Sequence, residues 1–341
     1  MTDGEKTKFS KSGAVKQILG FIGLLLAVLA VGAFGAVTVI FFGPSVTARD
    51  LLVTSLNETS AGKPIARIFL SQDKINEILS NNTIHPFKEI TNGELITINQ
   101  HTDDTKKGNG IQIIEIATVK YKAKLMIVED PSRVYLGTLD EYGENAKGMT
   151  LMDMIKRDGA VAGINGGGFV DTAGMGNGGE PLGIVIKNGE IMYGPADQKL
   201  EIIGFDENHK LILGYMTGEE ALTRGIKDAM SFGPILIVNG ESVNVSGTGG
   251  GLNPRTAIGQ RSDGAILLLV ADGRQASSLG ASYNDIIGIM LDYGAVNCAN
   301  LDGGSSTLMV YDGEILNSSA SLYGPRQIPT AFLVKGVQDG E

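Results

Sequence analysis

An uncharged, largely apolar stretch at residues 17–48 constrains this chain more than any other feature. An α-helix of about 20 residues crosses the roughly 30 Å hydrocarbon core of a bilayer, so this stretch is long enough to span a membrane. Lysines precede it, whereas Arg49 and Asp50 behind it cancel each other. The positive-inside rule then places the N-terminus in the cytoplasm and everything after Ala48 outside. The preceding lysines are Lys6, Lys8, Lys11 and Lys16.

A cleaved signal peptide is the alternative interpretation of the same stretch. Val46-Thr47-Ala48 would then be the cleavage site. The apolar region is longer than the 7–15 residues usual in signal peptides, which favours a retained anchor. The predicted organisation is therefore a cytoplasmic tail (1–16), a transmembrane anchor (17–48), a juxtamembrane module or linker (49–110) and one large domain (111–341).

Composition limits the function of this domain. Hydrophobic residues make up 43% and charged residues 19% of the 341 positions, as in an ordinary folded protein. The net charge of −10, without any cluster of Lys or Arg, argues against a nucleic-acid partner. The single cysteine, Cys298, has no partner for an intramolecular disulfide, so stability depends on the apolar core.

The juxtamembrane module contains one clear helix signal. Ser71 is placed to cap a short helix whose apolar face includes Ile75, Ile78 and Leu79. The polar segment 101–109 reads as a linker or loop tip. No pattern of His and Cys has the spacing of a zinc site.

After residue 110 the pattern changes to strands joined by tight turns. Asn188-Gly189, Asn239-Gly240 and Asp312-Gly313 lie between apolar runs, and these dipeptides favour type I′ hairpin turns. The run Ala265–Ala271 is apolar on both faces, which is typical of a central strand covered on both sides. We therefore predict an α/β fold of the α+β type, with a mixed, hairpin-rich sheet core and a few covering helices.

Two of the predicted helices begin similar units. Thr150 with Asp153, and Ser282 with Asp285, form capping pairs ahead of apolar helices. Each helix is followed by a short apolar strand and a glycine turn, Asn165-Gly-Gly in one unit and Asp302-Gly-Gly in the other. An internal repeat and a coincidence of short matches both remain open.

Polar residues are concentrated in four glycine turns at the ends of predicted strands. The turns occupy residues 164–169, 247–255, 272–274 and 300–307. Arginine side chains and glycine-rich N–H groups suit a phosphoryl group, and two carboxylates suit proton transfer or stabilisation of an oxocarbenium-like centre. Taken singly, each turn is also explained as structure alone, since Asp-Gly is a common turn. Their polar side chains are Asn165, Arg255, Asp272, Arg274, Asp302, Ser305, Ser306 and Thr307.

Five segments follow one another in a recognisable order over roughly residues 160–335. They are INGGGF (164–169), SFGPILIVNG (231–240), NPRTAIG (253–259), VADGR (270–274) and ANLDGGSSTL (299–308). Together they resemble the phosphodiester glycosidase family, and the stretch from Ile315 to Arg326 is also similar to the family's C-terminal part. Animal members act on sugar phosphodiesters, and bacterial members are associated with exopolysaccharide. Two positions depart from the family's pattern: Gly168 replaces a Phe, and Ser305 replaces a Gly.

Together with the predicted anchor, the resemblance implies a membrane-anchored hydrolase, outside the cytoplasm, that cleaves a sugar-1-phosphodiester in a surface glycan or glycoconjugate. Asp302 and Asp272 are the predicted catalytic residues, and they could also supply oxygen ligands to a hard divalent cation. The predicted substrate-binding residues are Asn165, Gly166, Gly167, Arg255, Thr256, Arg274, Gly303, Gly304, Ser305, Ser306, Thr307 and Arg326.

Two other functions remain open. One is a non-catalytic binder of phosphorylated surface polysaccharide, and the other is a glycan phosphotransferase. Because the chain has no Trp, we expect sugar stacking to fall to the aromatic residues nearest the motifs, Phe169, Phe232 and Tyr323.

Overall fold

A computed structural model describes residues 11–59, 62–87, 89–98, 109–321 and 324–337. Most of the predicted cytoplasmic tail, most of the linker 101–109, and Tyr323 lie outside these residues. The helices are α1 (Lys11–Phe42), α2 (Val46–Asn57), α3 (Lys63–Phe69), α4 (Gln72–Asn81), α5 (Leu151–Asp158), α6 (Gly218–Thr223) and α7 (Tyr283–Asp292).

The strands pair antiparallel wherever they meet in the described part of the chain. In the first half they are β1 (Ile84–His85), β2 (Ile111–Ala117), β3 (Lys122–Val128), β4 (Val134–Thr138), β5 (Met149–Thr150), β6 (Ala160–Asn165), β7 (Val185–Lys187), β8 (Glu190–Tyr193), β9 (Leu200–Asp206) and β10 (Leu211–Met216). In the second half they are β11 (Ile226–Ser231), β12 (Ile235–Val238), β13 (Glu241–Ser242), β14 (Asn244–Val245), β15 (Arg255–Arg261), β16 (Ile266–Ala271), β17 (Ala295–Leu301), β18 (Met309–Tyr311), β19 (Glu314–Ile315), β20 (Gln327–Ile328) and β21 (Thr330–Lys335).

The N-terminal helices form a small cluster of their own. Within α1, Val15–Phe42 is long and apolar enough to cross a membrane, with a mean hydropathy of 2.7 over an 18-residue window, a test that a signal sequence also passes. The end of this helix packs on the next ones, where the Phe41 and Phe69 rings stack at 4.6 Å. Ser71 caps α4 and Ile75 and Ile78 are buried, as predicted.

Three larger sheets make up the body. The strand orders are β13-β12-β17-β15-β16-β3-β2, β19-β18-β6-β21-β4 and β10-β9-β11-β7-β8. All residues of β16 are buried between β15 and β3, which confirms the predicted central strand. The mixed fold with hairpin-rich antiparallel sheets is confirmed as well.

The predicted hairpin turns are present. Asn188, Asn239 and Asp312 have φ angles of 54°, 56° and 51°, and the glycine after each also has positive φ. A type I′ turn requires this pair of conformations, and the turns join β7 to β8, β12 to β13 and β18 to β19.

The end of the juxtamembrane module is part of the body. Strand β1 pairs with β14, and the Thr91 N–H donates to the Leu213 carbonyl at 3.0 Å. Residues 84–87 and 89–97 therefore contact the body instead of linking two separate bodies.

The two similar units occupy the middle of different sheets. Thr150 caps α5 ahead of β6, and Ser282 with Asp285 forms a capping box on α7 ahead of β17. Strand β6 lies between β18 and β21, and β17 lies between β12 and β15. Their C-terminal ends meet, because the Asp302 N–H donates to the Gly166 carbonyl at 3.0 Å. This junction positions the candidate site.

Candidate active site

A pocket of about 530 Å³ opens where β6 and β17 end. This volume lies within the range usual for small-molecule sites. Eight of the predicted site residues line it: Arg255, Arg274, Asp302, Gly303, Gly304, Ser305, Ser306 and Arg326. Residues that the sequence analysis did not select also line it, among them Glu58, Asp171, Asn253, Tyr283 and Asn300.

Asp302 directly follows β17 and presents the carboxyl group with the clearest electrostatic perturbation. Burial raises the pKa of Asp302 to about 6, and the negative charge of Asp171 adds to this shift. A hydrogen bond from Ser306 and the charge of Arg326 act in the opposite direction. A carboxyl group with a pKa near neutrality is suited to exchanging protons at physiological pH.

Arg274 is the pocket arginine with the fewest protein partners. Its Nη2 donates to Asn253 Oδ1 at 3.0 Å, and its guanidinium forms no other hydrogen bond within the described residues. The backbone at Arg274 is left-handed, with φ of 57°. A Cβ on Gly304 would lie 3.0 Å from Arg274 Nη1, so this glycine makes room for the guanidinium. The remaining donors can therefore bind an anion in the pocket.

Arg255 is held almost completely by the protein itself. Its Nη1 pairs with Glu58 Oε2 at 2.7 Å, and its Nη2 donates to the Gly250 carbonyl at 3.0 Å. Its Nε donates to the Ala281 carbonyl at 3.3 Å, and its Cζ lies 3.9 Å from the Tyr283 ring centroid. Only 3% of this residue is exposed. Arg255 lines the pocket, but its hydrogen-bond donors already have protein partners.

Glu58 is a carboxylate of the pocket that the sequence analysis missed. Its Oε2 also accepts from Asn253 Nδ2 at 3.0 Å, and its Oε1 accepts from the Tyr283 hydroxyl at 3.4 Å. Burial raises the pKa of Glu58, while Arg255 opposes the shift. Nothing in the local sequence around Glu58 points to a site, because its partners are about 195 to 225 residues away along the chain.

Arg326 ties two pocket loops together. Its Nη1 donates to Ser305 Oγ and its Nη2 to Asp171 Oδ1, both at 3.0 Å. Its Cζ lies 5.0 Å from the centroid of the Phe169 ring. Ser305, one of the two departures from the family's pattern, therefore supplies a hydrogen-bond acceptor that a glycine would lack.

The other departure, Gly168, reflects local packing. A Cβ at this position would lie 2.6 Å from the Phe232 ring, so the ring occupies the space of a side chain. Phe169 and Phe232 both line the pocket, as expected for the sugar-stacking candidates. Asn300 Oδ1, near the end of β17, is buried without a partner among the described residues.

Several predicted residues lie behind the pocket and support it. Asn165 Oδ1 accepts from Thr256 Oγ1 at 2.9 Å and from the Leu308 N–H at 3.1 Å, and Asn165 Nδ2 donates to the Asp302 carbonyl at 2.5 Å. The Gly167 N–H donates to Thr330 Oγ1 at 2.9 Å. These contacts join the strand ends. The predicted residues outside the pocket lining are Asn165, Gly166, Gly167, Thr256, Asp272 and Thr307.

Asp272, the second predicted catalytic residue, is engaged elsewhere. Its Oδ1 accepts from Asn317 Nδ2 at 3.1 Å and from the Ser318 N–H at 3.0 Å. Burial raises the pKa of Asp272, and these two hydrogen bonds oppose the shift. Its contacts are those of a carboxylate that fixes the C-terminal loop. Across the part of the chain that is described, no group of three or more His, Cys, Asp or Glu residues is placed to hold a metal ion.

Comparison with known proteins identifies the family of this chain. The sequence profile of the phosphodiester glycosidases matches residues 158–335, just over half of the chain. The SPbeta prophage-derived uncharacterized protein YomE of Bacillus subtilis is 26% identical over 292 residues, which cover 79% of this chain. The chain spans 42% of the length of that relative.

Two solved structures resemble the fold. The catalytic domain of zebrafish N-acetylglucosamine-1-phosphodiester alpha-N-acetylglucosaminidase, described as auto-inhibited by its pro-peptide, has 19% identity and a TM-score of 0.57, covering 75% of this chain and 95% of that one. A protein of Burkholderia pseudomallei has 16% identity and a TM-score of 0.48, covering 63% of this chain and 74% of that one.

Proposed function

Because this chain belongs to the phosphodiester glycosidase family, we propose that it hydrolyses the bond between a sugar's anomeric carbon and a phosphate oxygen of a phosphodiester. The observation that carries the proposal is the meeting of Asp302 and Arg274 in one pocket. One side chain exchanges protons near neutral pH, and the other has free donors for an anion.

The roles follow from these environments. Arg274 binds the non-bridging phosphate oxygens and stabilises the charge that develops as phosphate leaves. Ionised Asp302 accepts a proton from the attacking water, the water oxygen bonds to the anomeric carbon, and the electron pair of the broken bond stays on the phosphate oxygen. Phe169 and Phe232 line the pocket and offer apolar faces to the sugar.

The proposed setting is the outer face of a membrane, with α1 as the anchor and a phosphorylated surface glycan or glycoconjugate as substrate. The length and hydropathy of Val15–Phe42 support the anchor, and lysines on its N-terminal side support the orientation. The substrate class is supported by family membership and by the sugar phosphodiester in the name of the zebrafish enzyme.

Sugar release by the full-length protein in detergent tests the activity. The substrates are a nucleotide sugar and a simple glycosyl phosphodiester, with Asp302→Asn as the inactive reference. Free reducing sugar that depends on Asp302 supports hydrolysis. A sugar phosphate appearing on an added acceptor would indicate the phosphotransferase, and saturable binding without turnover would indicate the binder.

Membrane fractionation tests the setting. The full chain should remain with membranes after a carbonate wash, and a protease added outside intact cells should digest the body. Recovery of a mature chain beginning at Arg49 would show that residues 1–48 are a cleaved signal peptide.

A further inference from the structure

Glu58 reaches the pocket from outside the segment that the family profile covers. It follows α2 directly, whereas the profile begins at residue 158. Two fixed donors, on Arg255 and Asn253, hold its Oε2, at 2.7 and 3.0 Å. The Oε1 atom has the longer contact to the Tyr283 hydroxyl, and 28% of the side chain is exposed. The Oε2 atom thus has two short contacts, whereas Oε1 has one long contact, and Glu58 lines the pocket.

The helix that carries Glu58 is docked specifically on the glycine-rich loop 247–253. Thr54 Oγ1 lies 2.9 Å from Thr248 Oγ1, and the Leu252 N–H donates to Ser55 Oγ at 2.9 Å. Any side chain at Gly251 would collide with Ser55, and one at Gly250 would collide with Glu58 itself. These glycines therefore permit the close approach of α2. The sequence analysis predicted that the N–H groups of this loop would bind a phosphoryl group, but in the structure the loop contacts the C-terminal end of α2.

Glu58 and Asp302 both act on Arg274, the pocket arginine with the fewest hydrogen bonds among the described residues. The negative charges of both carboxylates favour the charged form of Arg274, although burial is the larger influence and lowers its pKa. The site thus has the composition that glycoside hydrolysis commonly uses, namely two carboxylates beside the scissile bond. Their environments differ, because Glu58 contacts a guanidinium whereas Asp302 contacts a hydroxyl.

We propose that Glu58 is a catalytic residue, the second carboxylate of the site in place of Asp272, and that its Oε1 faces the anomeric carbon of the sugar. This inference rests on the hydrolase activity proposed above. Arg255 and Asn253 orient the Glu58 carboxyl group, and the charge of Arg255 favours its ionised form. The charge of ionised Glu58 stabilises the positive charge that develops at the anomeric carbon when the bond to the phosphate oxygen breaks. Asp302 takes the proton of water in the same step, so Glu58 neither gains nor loses a proton. The N-terminal module is then part of the enzyme's active site.

Glu58→Gln in the full-length protein tests this role. Glutamine keeps an oxygen for Arg255 and Asn253 while removing the charge. We expect kcat/KM for a glycosyl phosphodiester to fall at least a hundredfold, mainly in kcat, because Arg274 still binds the phosphate. Glu77→Gln, on an exposed carboxylate of α4 in the same module, is the matched control and should keep the wild-type rate.

The outcomes separate this inference from the proposed function. If Glu58→Gln keeps the wild-type rate within a few-fold while Asp302→Asn is inactive, the hydrolase stands and Glu58 is only a docking residue. A Glu58→Gln variant faster than the wild type would show that Glu58 inhibits the enzyme by competing with the anion for Arg274, which also overturns the proposal. If the wild-type protein releases no sugar, both proposals fall.

A folding defect is distinguished by chemical rescue. Should Glu58→Gln unfold at a lower temperature than the wild type, Glu58→Ala is assayed with added formate, a small carboxylate that fits the vacated space beside Arg255. A rate of Glu58→Ala that is at least tenfold higher with formate than without it supports the catalytic role, and an unchanged rate overturns it.

Discussion

The two similar units, which end at Asn165 and Asp302, have the same local architecture but different roles. In both, a capped helix leads into a strand in the middle of a sheet and then into a glycine turn. Asn165 is 1% exposed, and both its oxygen and its nitrogen are bonded to protein groups. Asp302 uses its backbone for the same junction and presents its carboxyl group to the pocket.

This comparison shows how one structural position can serve two purposes. The amide at the end of β6 has donors and an acceptor, so it can hold the Asp302 carbonyl and Thr256 together. A carboxylate could not donate to that carbonyl. The carboxyl group at the end of β17 is freed from structural duty by this amide, and burial then sets its pKa near 6. The two exchanges, Asp302→Asn and Asn165→Asp, should therefore have different effects: the first on the catalytic rate and the second on stability.

The largest expected effect is that of Asp302→Asn, which makes the second unit resemble the first. An amide of nearly the same size keeps an acceptor for Ser306 but cannot take a proton from water. Since acid–base catalysis is typically worth 10²–10⁴ in rate, we expect a fall of about that size in kcat with little change in the melting temperature. Sugar-release kinetics and thermal unfolding measure the two quantities. Activity within a few-fold of the wild type would remove Asp302 from the chemistry.

The reverse exchange, Asn165→Asp, should damage stability first. The new carboxylate would face the Asp302 carbonyl oxygen that now accepts from Asn165 Nδ2, in a position that is almost fully buried. An unpaired buried polar group costs about 1–3 kcal/mol, and a charged one costs more. We expect the free energy of unfolding to fall by about 3 kcal/mol, measured by urea denaturation at pH 7. A variant as stable as the wild type would show that the junction does not depend on this amide.

Much of the scaffold for this comparison could be predicted from sequence, because its signals are local. Positive φ in the Asn-Gly and Asp-Gly turns, side-chain caps at Thr150 and Ser282, and the two-sided apolar pattern of β16 each depend on a few neighbouring residues. Asp302 and Arg274 were predicted in the same way, as polar residues at strand ends in recognisable motifs, whereas Arg326 was a candidate only through the family resemblance.

The features of the site that the sequence did not predict depend on contacts between distant parts of the chain. Which way a side chain points from a strand-end turn decides that Asp302 faces the pocket and that Asp272 faces Asn317. Glu58 enters the site only because α2 docks on a loop about 190 residues further along the chain. Neither outcome has a signature in a short window of sequence.

Arg274→Lys should have the next largest effect, because it tests what the accessible cation contributes beside Asp302. A lysine keeps the charge but cannot form a bidentate contact with phosphate oxygens. Loss of one charge-assisted hydrogen bond, worth about 1.5 kcal/mol or more, predicts at least about a tenfold fall in kcat/KM. Arg224→Lys, on the exposed surface after α6, is the control. Equal kinetics for both variants would exclude Arg274 from substrate binding.

A smaller effect is expected from pH alone in the wild-type protein. The ionised form of Asp302 is the active one, and burial raises its pKa to about 6. The rate should therefore increase as pH rises through 6 and level off above 7, with about a tenfold difference between pH 5 and pH 7. Asp302→Asn should lose this limb of the profile. A profile with its limb near pH 4 in the wild type would show that Asp302 titrates as an ordinary carboxyl group.

The smallest expected effect is that of Asp272→Asn. This substitution tests whether both carboxylates that follow strands of this sheet take part in catalysis. Asp272 follows β16 as Asp302 follows β17, and sequence alone predicts comparable defects for the two substitutions. In the structure Asp272 Oδ1 accepts from Asn317 and from the Ser318 N–H, and an asparagine oxygen can accept both hydrogen bonds. We therefore expect activity within a few-fold of the wild type and a loss of stability below about 1 kcal/mol. Sugar release and urea denaturation of Asp272→Asn beside Asp302→Asn decide the matter. If Asp272→Asn is inactive and Asp302→Asn is active, the catalytic carboxylate is Asp272, and the division of roles between the strand ends is the reverse of the one drawn from the pocket.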